Sequence, residues 1–245
     1  MTADVGPPSP PAGRDLAGGA WRGAGSRLEL WTRLLAHLRP RTVLEIGVWK
    51  GAFAEHLLRT APSIERYVMI DPWRPLEAWN KPLNVSAAEF EAAYKTALAR
   101  TEFAAERRLV LRGTTAKMID EVDEAGCELI YVDGDHTLRG AVIDLVAAWP
   151  KLAVGGWLAG DDFSPSIWQH GASFEPTLVF PAAIHFAEAV GAPIWALPFQ
   201  QFVIEKPPPR VRDFAFVDLT GAYPEPGLLR QLLTWLVRRR AEEAS

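Results

Sequence analysis

Two short stretches hold side chains whose type and spacing could do chemistry. One reads Leu129-Ile130-Tyr131-Val132-Asp133-Gly134-Asp135-His136, the other Gly155-Gly156-Trp157-Leu158-Ala159-Gly160-Asp161-Asp162-Phe163. Each carries an apolar run of strand length into acids, so on neighbouring strands of a parallel sheet the two acidic clusters would converge. Carboxylates that close raise one another's pKa unless a positive charge lies among them. A hard divalent cation with oxygen ligands and retained water, magnesium, is the economical answer, with Asp133, Asp161 and Asp162 as its ligands. The alternative is that Asp135 and Asp162 make turns or caps and no metal binds. Consecutive strand residues point to opposite faces, so Asp161 and Asp162 need not both face the site. His136 stands in a loop beside these acids, a setting that suits a general base better than a satisfied core histidine.

A second group lies earlier, in Val43-Leu44-Glu45-Ile46-Gly47-Val48-Trp49-Lys50-Gly51-Ala52-Phe53. Gly47 and Gly51 bracket a tight strand-to-helix turn that lets backbone approach a ligand. A dinucleotide site would carry Gly-x-Gly-x-x-Gly here to seat a pyrophosphate on the helix N-terminus. The sequence has Gly-x-x-x-Gly instead, with bulky Trp49 inside it and Glu45 before it. Glu45 would repel phosphate and suit a cationic ligand, so a nucleoside bearing an ammonium and a sulfonium fits better than NAD. Asp71, ending Tyr67-Val68-Met69-Ile70-Asp71, is placed to accept from ribose hydroxyls. Trp73 either covers an adenosine or anchors packing. Thr114 and Thr115 after the next apolar run either cap a helix or turn a hydroxyl toward a base.

The elements that must position these residues are legible as alternation. Apolar runs at Thr42–Val48, Tyr67–Ile70, Leu109–Leu111, Glu128–Val132, Trp157–Ala159, Ile194–Leu197 and Phe202–Ile204 read as strands. Helical spacing marks Ser26–Leu38, Ala52–Thr60, Ala87–Ala104, Ala116–Glu124 and Leu138–Trp149. Strand, helix, strand, helix is the pattern of a parallel sheet covered on both faces. The last two runs are too close for a crossover helix, so they should form an antiparallel hairpin at one edge. Residues 1–24, rich in Pro, Gly and Ala, read as a disordered leader. After Pro207-Pro208-Pro209 a further helix is expected at about Glu225–Glu243, with Leu228, Leu229, Leu232, Leu233 and Leu236 on one side and Arg238-Arg239-Arg240 at its end. It would pack on the domain with its cations at the favourable dipole end, or serve an oligomer contact.

Composition narrows the classes. The 245 residues are 49 % hydrophobic with a formal net charge of −4, which argues against a protein held to nucleic acid by neutralising phosphates. The single cysteine, Cys127, cannot form an internal disulfide, and no Cys/His spacing suits structural zinc. The N-terminus lacks a basic and apolar secretory pattern, and no apolar run reaches the ~18 residues of a membrane span. A cytoplasmic location is the expectation.

Together these motifs, with Asn84-Val85-Ser86 and Pro150-Lys151-Leu152, resemble the class I S-adenosylmethionine-dependent methyltransferases over roughly residues 40–206. The macrocin and mycinamicin sugar O-methyltransferases and cephalosporin-hydroxylase-like proteins are the most similar group. The resemblance implies a Rossmann-like, mostly parallel seven-stranded sheet with one antiparallel edge strand, and a methyltransferase domain at 25–206 followed by an extension at 207–245. It implies that Glu45, Gly47, Trp49 and Gly51 hold the methionine part of the cofactor, Asp71 the ribose, and Thr114 and Thr115 the adenine, with Trp73 and Asp133 alongside. Asp133, Asp161 and Asp162 match magnesium ligands. Thr114 stands where relatives often have an acid, and His136 where catechol-type enzymes hold a lysine.

The expected reaction is methyl transfer from S-adenosylmethionine to a hydroxyl of a small molecule, sugar or phenol, with His136 or Asp133 taking the proton. The acceptor would meet Leu76–Ser86, including Trp79 and Asn80, and Phe163–Phe174, including Trp168 and His170. A metal-independent N- or O-methyltransferase, a nicotinamide-dependent oxidoreductase and a non-catalytic cofactor-binding scaffold stay open. Homo-oligomerisation is open too.

Overall fold

A computed structural model describes residues 21–223 together with Leu16 and Gly19. The expected C-terminal helix at Glu225–Glu243 and most of segment 1–24 lie outside the described residues. Within that segment Leu16 is buried, and the Trp21 indole donates to its carbonyl at 2.8 Å.

Helix α1 (Arg27–Leu38) starts where Ser26 caps it, the hydroxyl accepting from the Glu29 amide, and buries Leu30, Trp31, Leu34 and Leu35. The elements then alternate as β1 (Thr42–Ile46), α2 (Ala52–Thr60), β2 (Arg66–Asp71), α3 (Ala87–Arg100), β3 (Arg108–Arg112), α4 (Thr115–Met118), β4 (Cys127–Val132), α5 (Leu138–Lys151), β5 (Leu152–Gly160), α6 (Val179–Val190), β6 (Ile194–Leu197), β7 (Gln201–Glu205) and β8 (Phe216–Asp218). Two expected helices are shorter than their apolar pattern. The chain after α3 tightens into a 3-10 turn, Glu102–Arg107, and the one after α4 into another, Ile119–Glu121.

One sheet runs in the order β3-β2-β1-β4-β5-β7-β6-β8. Every neighbour pair is parallel except those made by β7, which runs against both β5 and β6. The mostly parallel class and the β6–β7 hairpin match the sequence reading. Two details differ. Among the described residues there are eight strands, because the Pro-rich tail returns as β8 beside β6, and the reversed strand is inserted beside β5 rather than lying at the edge. The helix α6 was not visible either: Val179-Phe180-Pro181-Ala182-Ala183 is nearly all apolar, so it shows no 3.6-residue stripe, and Pro181 sits in the first turn, where a missing N–H costs no helical bond.

Strand residues alternate between two cores. Leu44, Ile46, Ile130 and Leu158 pack under α5 and α6, while Val43, Tyr67, Leu129 and Tyr131 pack under α1, α2 and α3. Glu45 therefore falls on the α1 side, among apolar neighbours. Among the described residues no helix is long and apolar enough to cross a membrane.

Candidate active site

The carboxyl ends of β1 to β4 and the chain after β5 border a cavity of about 590 Å³, roofed by the segment between β2 and α3. At the β1 end Gly47 adopts φ +87, and a Cβ there would lie 2.0 Å from the Asp133 carbonyl oxygen, so only glycine lets the β1 and β4 loops touch. Gly51 serves a different purpose. It opens α2 with φ +71, does not border the cavity, and its missing Cβ makes room for Ala97 of α3.

Asp71 is 7 % exposed; one of its oxygens accepts from the Val48 and Trp49 amides and the other from the Trp73 amide. Burial raises its pKa while those amides pull it back. It thus ties the β1 turn to the β2 end and still borders the cavity. Glu45 is 1 % exposed and accepts from the Tyr67 hydroxyl at 2.8 Å. Burial pushes its pKa to about 8, a shift that the Tyr67 bond opposes and the charges of Asp133 and Asp71 increase. Trp49 borders the cavity, edge-on to Phe90. Trp73 does not: it is buried, donates to the Trp49 carbonyl and packs on Tyr94, which makes it a prop.

At the β4 and β5 ends the acids separate into two directions. His136 Nδ1 lies 2.8 Å from Asp162 Oδ2 and Nε2 lies 3.4 Å from Asp133 Oδ1. Burial works against its charge, but the facing carboxylates of Asp133 and Asp162 outweigh it and raise the pKa to about 10, while Nε2 itself makes no hydrogen bond of good geometry among the described residues. Asp162, at φ +55, is held below the ordinary carboxyl range against its burial, chiefly by His136. Asp161 turns the other way. Its carboxylate pairs with Arg27 of α1 and accepts from Gln201 Nε2 at 2.5 Å. Gln201 is itself fully buried, its Oε1 accepting from the Trp31 indole and the Tyr131 hydroxyl.

Thr114 borders the cavity and makes no capping bond to α4, whereas Thr115 bonds Asp144, a buried acid on α5. Burial raises Asp144 to about 7, against its bonds from Thr115 and the Asp135 amide. In the roof segment, Asn84 accepts from the Leu76 amide and donates to the Leu76 and Trp79 carbonyls, closing the loop on itself. Lys81 Nζ, 4 % exposed, donates to the Glu175 and Pro176 carbonyls and the Thr177 hydroxyl, fastening this loop to the chain before α6. Asn80 does the same work from outside, donating to the Ser173 carbonyl. Of the four expected acceptor residues, Trp79 and His170 border the cavity; Asn80 and Trp168 do not, Trp168 packing on the core. The Trp79 indole nitrogen is buried without a hydrogen-bond partner among the described residues. Arg27, Lys81, Arg139 and Asp144 border the cavity as well, and nothing in their local sequence marked them.

The donor set tests the metal that the resemblance implies. Ligand atoms of Asp133, His136 and Asp162 lie within 4.8 Å of one another. The three-aspartate arrangement is not formed, because Asp161 is engaged by Arg27 and Gln201. Two carboxylates and an imidazole suit a divalent transition-metal ion better than magnesium, and such an ion would need the His136 nitrogen without its proton.

Residues 44–163 match a family model described as a methyltransferase domain. No curated protein sequence matches the chain significantly. Among solved structures, the chain is similar to a protein provisionally described as a caffeoyl-CoA O-methyltransferase from Staphylococcus aureus, at 13 % identity and TM-score 0.54, covering 78 % of this chain and 90 % of that one. It is also similar to an O-methyltransferase of tomaymycin synthesis from Streptomyces achromogenes with S-adenosylmethionine (15 %, TM-score 0.51, 80 % and 86 %). An O-methyltransferase from Bacillus cereus with S-adenosylhomocysteine gives 15 %, TM-score 0.51, and 79 % and 86 % coverage. At these identities the likeness is one of fold.

Proposed function

We propose that the chain, an S-adenosylmethionine-dependent methyltransferase by its domain and fold, methylates a hydroxyl oxygen of a small molecule such as a sugar or phenolic natural product. One observation carries this reading. A single cavity brings together a buried acid on β1, an acid at the β2 end and the Asp133–His136–Asp162 group beyond β4. The tomaymycin and caffeoyl-CoA relatives are described as O-methyltransferases, which supports oxygen as the acceptor atom.

Glu45, Gly47, Trp49 and Asp133 would cradle the methionine end, Asp71 the ribose, and Thr114 and Thr115 the base; Gly51 and Trp73 would shape this cradle from behind. Methyl transfer from a sulfonium asks the protein mainly to align sulfur, methyl and oxygen and to exclude water. The acceptor hydroxyl would lie against Asp133, whose carboxylate takes the proton, while His136, charged between Asp133 and Asp162, holds both carboxylates in place. Trp79 and His170 would close over the acceptor, the Trp79 N–H offering a donor to one of its oxygens.

The clustering of Asp133, His136 and Asp162 favours a second reading, in which these three hold a divalent cation. Such an ion would lower the pKa of the acceptor hydroxyl when bound.

Titration calorimetry with S-adenosylhomocysteine and with NADH is the first test. Binding of the former and not the latter is expected, and no binding of S-adenosylhomocysteine at millimolar concentration ends the reading. On an accepted hydroxyl substrate, Asp133→Asn and His136→Ala should each lower kcat ~10²-fold or more, where a scaffold would tolerate both. Full activity after EDTA treatment favours the first reading; loss, with recovery on adding a divalent cation, favours the second.

A further inference from the structure

Arg27 lies on α1, outside the segment matched by the methyltransferase model, yet its guanidinium borders the cavity beside Glu45. It reaches across 106 residues of sequence to Asp133, with Nη1 at 3.4 Å from Oδ2, and it also pairs with Asp161. Its guanidinium carbon lies over the Phe53 ring, 5.4 Å from the centroid, a cation–π contact that helps hold the group at the cavity edge. Among the described residues its polar contacts all use Nη1, and Nη2 and Nε donate to no group. A third of the side chain is exposed, so it can take a partner without being dug out of the core.

This puts one permanent cation, paired with Asp133, on the same cavity wall as the Glu45 carboxyl, at the mouth of β1 and β4. That alternation of charge is what an α-amino-acid zwitterion asks of a protein. Its ammonium needs carboxylates, and its carboxylate needs a planar pair of N–H donors, which arginine supplies and lysine does not. The geometry points to Arg27 as the residue that binds the carboxylate of the cofactor's methionine end, turning its unused donors to that group while Nη1 keeps Asp161 and Asp133 in place. The inference rests on the cofactor reading above and adds a residue to it. It also gives the N-terminal helix a ligand-binding task.

The test compares two ligands that differ only at that end. S-adenosylhomocysteine carries the amino-acid carboxylate; 5′-methylthioadenosine has the same thioether and nucleoside without it. In calorimetry, Arg27→Met is expected to weaken S-adenosylhomocysteine ~10- to 100-fold and to leave 5′-methylthioadenosine within about twofold of wild type. Arg27→Lys keeps the charge on Asp161, and so the fold, but loses the fork; it should show a smaller loss confined to S-adenosylhomocysteine. Equal affinity of wild type and both variants for S-adenosylhomocysteine overturns the inference, as does equal weakening of both ligands. If wild type binds neither ligand, the cofactor reading itself fails, and this assignment fails with it.

Discussion

Buried on β1 with the Tyr67 hydroxyl as its donor, Glu45 keeps its proton up to about pH 8, because a charge there would be stripped of water. A ligand that brings an ammonium or sulfonium against it reverses that balance and ionises it. Binding of S-adenosylmethionine at neutral pH should therefore release close to one proton. Affinity should climb as pH rises toward about 8 and level off above, since the proton is then already gone. Calorimetry in buffers of different ionisation enthalpy measures the release. In Glu45→Gln the heat should become independent of the buffer, and an unchanged release would assign the proton to another group. His136 has the opposite problem and the opposite answer: partly buried, it is held charged because two carboxylates face it.

Loops and helices decide whether those residues form a site at all. The roof between β2 and α3 has no regular structure over most of its length, and Lys81, the buried one of its two fasteners to the chain before α6, holds it beside the more exposed Asn80. Replacing that ammonium with a thioether leaves two buried carbonyls and a hydroxyl without their donor. Lys81→Met is expected to cost about 2 kcal/mol, or roughly 4–8 °C in Tm, and to raise the KM for the acceptor more than the Kd for S-adenosylhomocysteine. Hydrogen exchange should rise in residues 74–86 and 170–178 together; a rise in only one of them would show that Lys81 is not the fastener. Helix α1 acts at the same scale from the opposite side, with Trp31, Gln201 and Asp161 linking its core face to the β5 end.

For the molecule as a whole, two buried acids make alkaline conditions unfavourable. Asp144 ionises at about 7 and Glu45 at about 8 in the folded chain, both because burial penalises the carboxylate, while in the unfolded chain each ionises near 4. Between those values the unfolded state has shed protons that the folded state keeps. The stability tied to these two acids therefore falls as pH rises through this window, by on the order of a few kcal/mol per group when complete, and His136, held charged up to about 10, carries the fall on above it. The Tm of the ligand-free protein should drop between about pH 5 and about pH 9, and drop less in Asp144→Asn, whose side chain can still accept from Thr115 and the Asp135 amide. A Tm that holds level over that range in the wild type would mean these acids find a counter-charge. Bound S-adenosylhomocysteine should offset part of the loss.

The local pattern of the chain determined the strands β1 to β7, the hairpin of the last two and the line of glycines and acids at the strand ends. Those signals are periodicities and turn residues a few positions apart, written into neighbouring side chains. Helix α6 and strand β8 escaped because a helix that opens on five nearly all-apolar residues and a three-residue strand carry little period to read. Only the folded chain decided that Asp161 turns to Arg27 while Asp162 turns to His136, that Trp73 props where Trp49 faces the cavity, and that Lys81 closes the roof. Each of those outcomes depends on a partner brought from a distant part of the chain, and the direction of a side chain is settled by what it meets there.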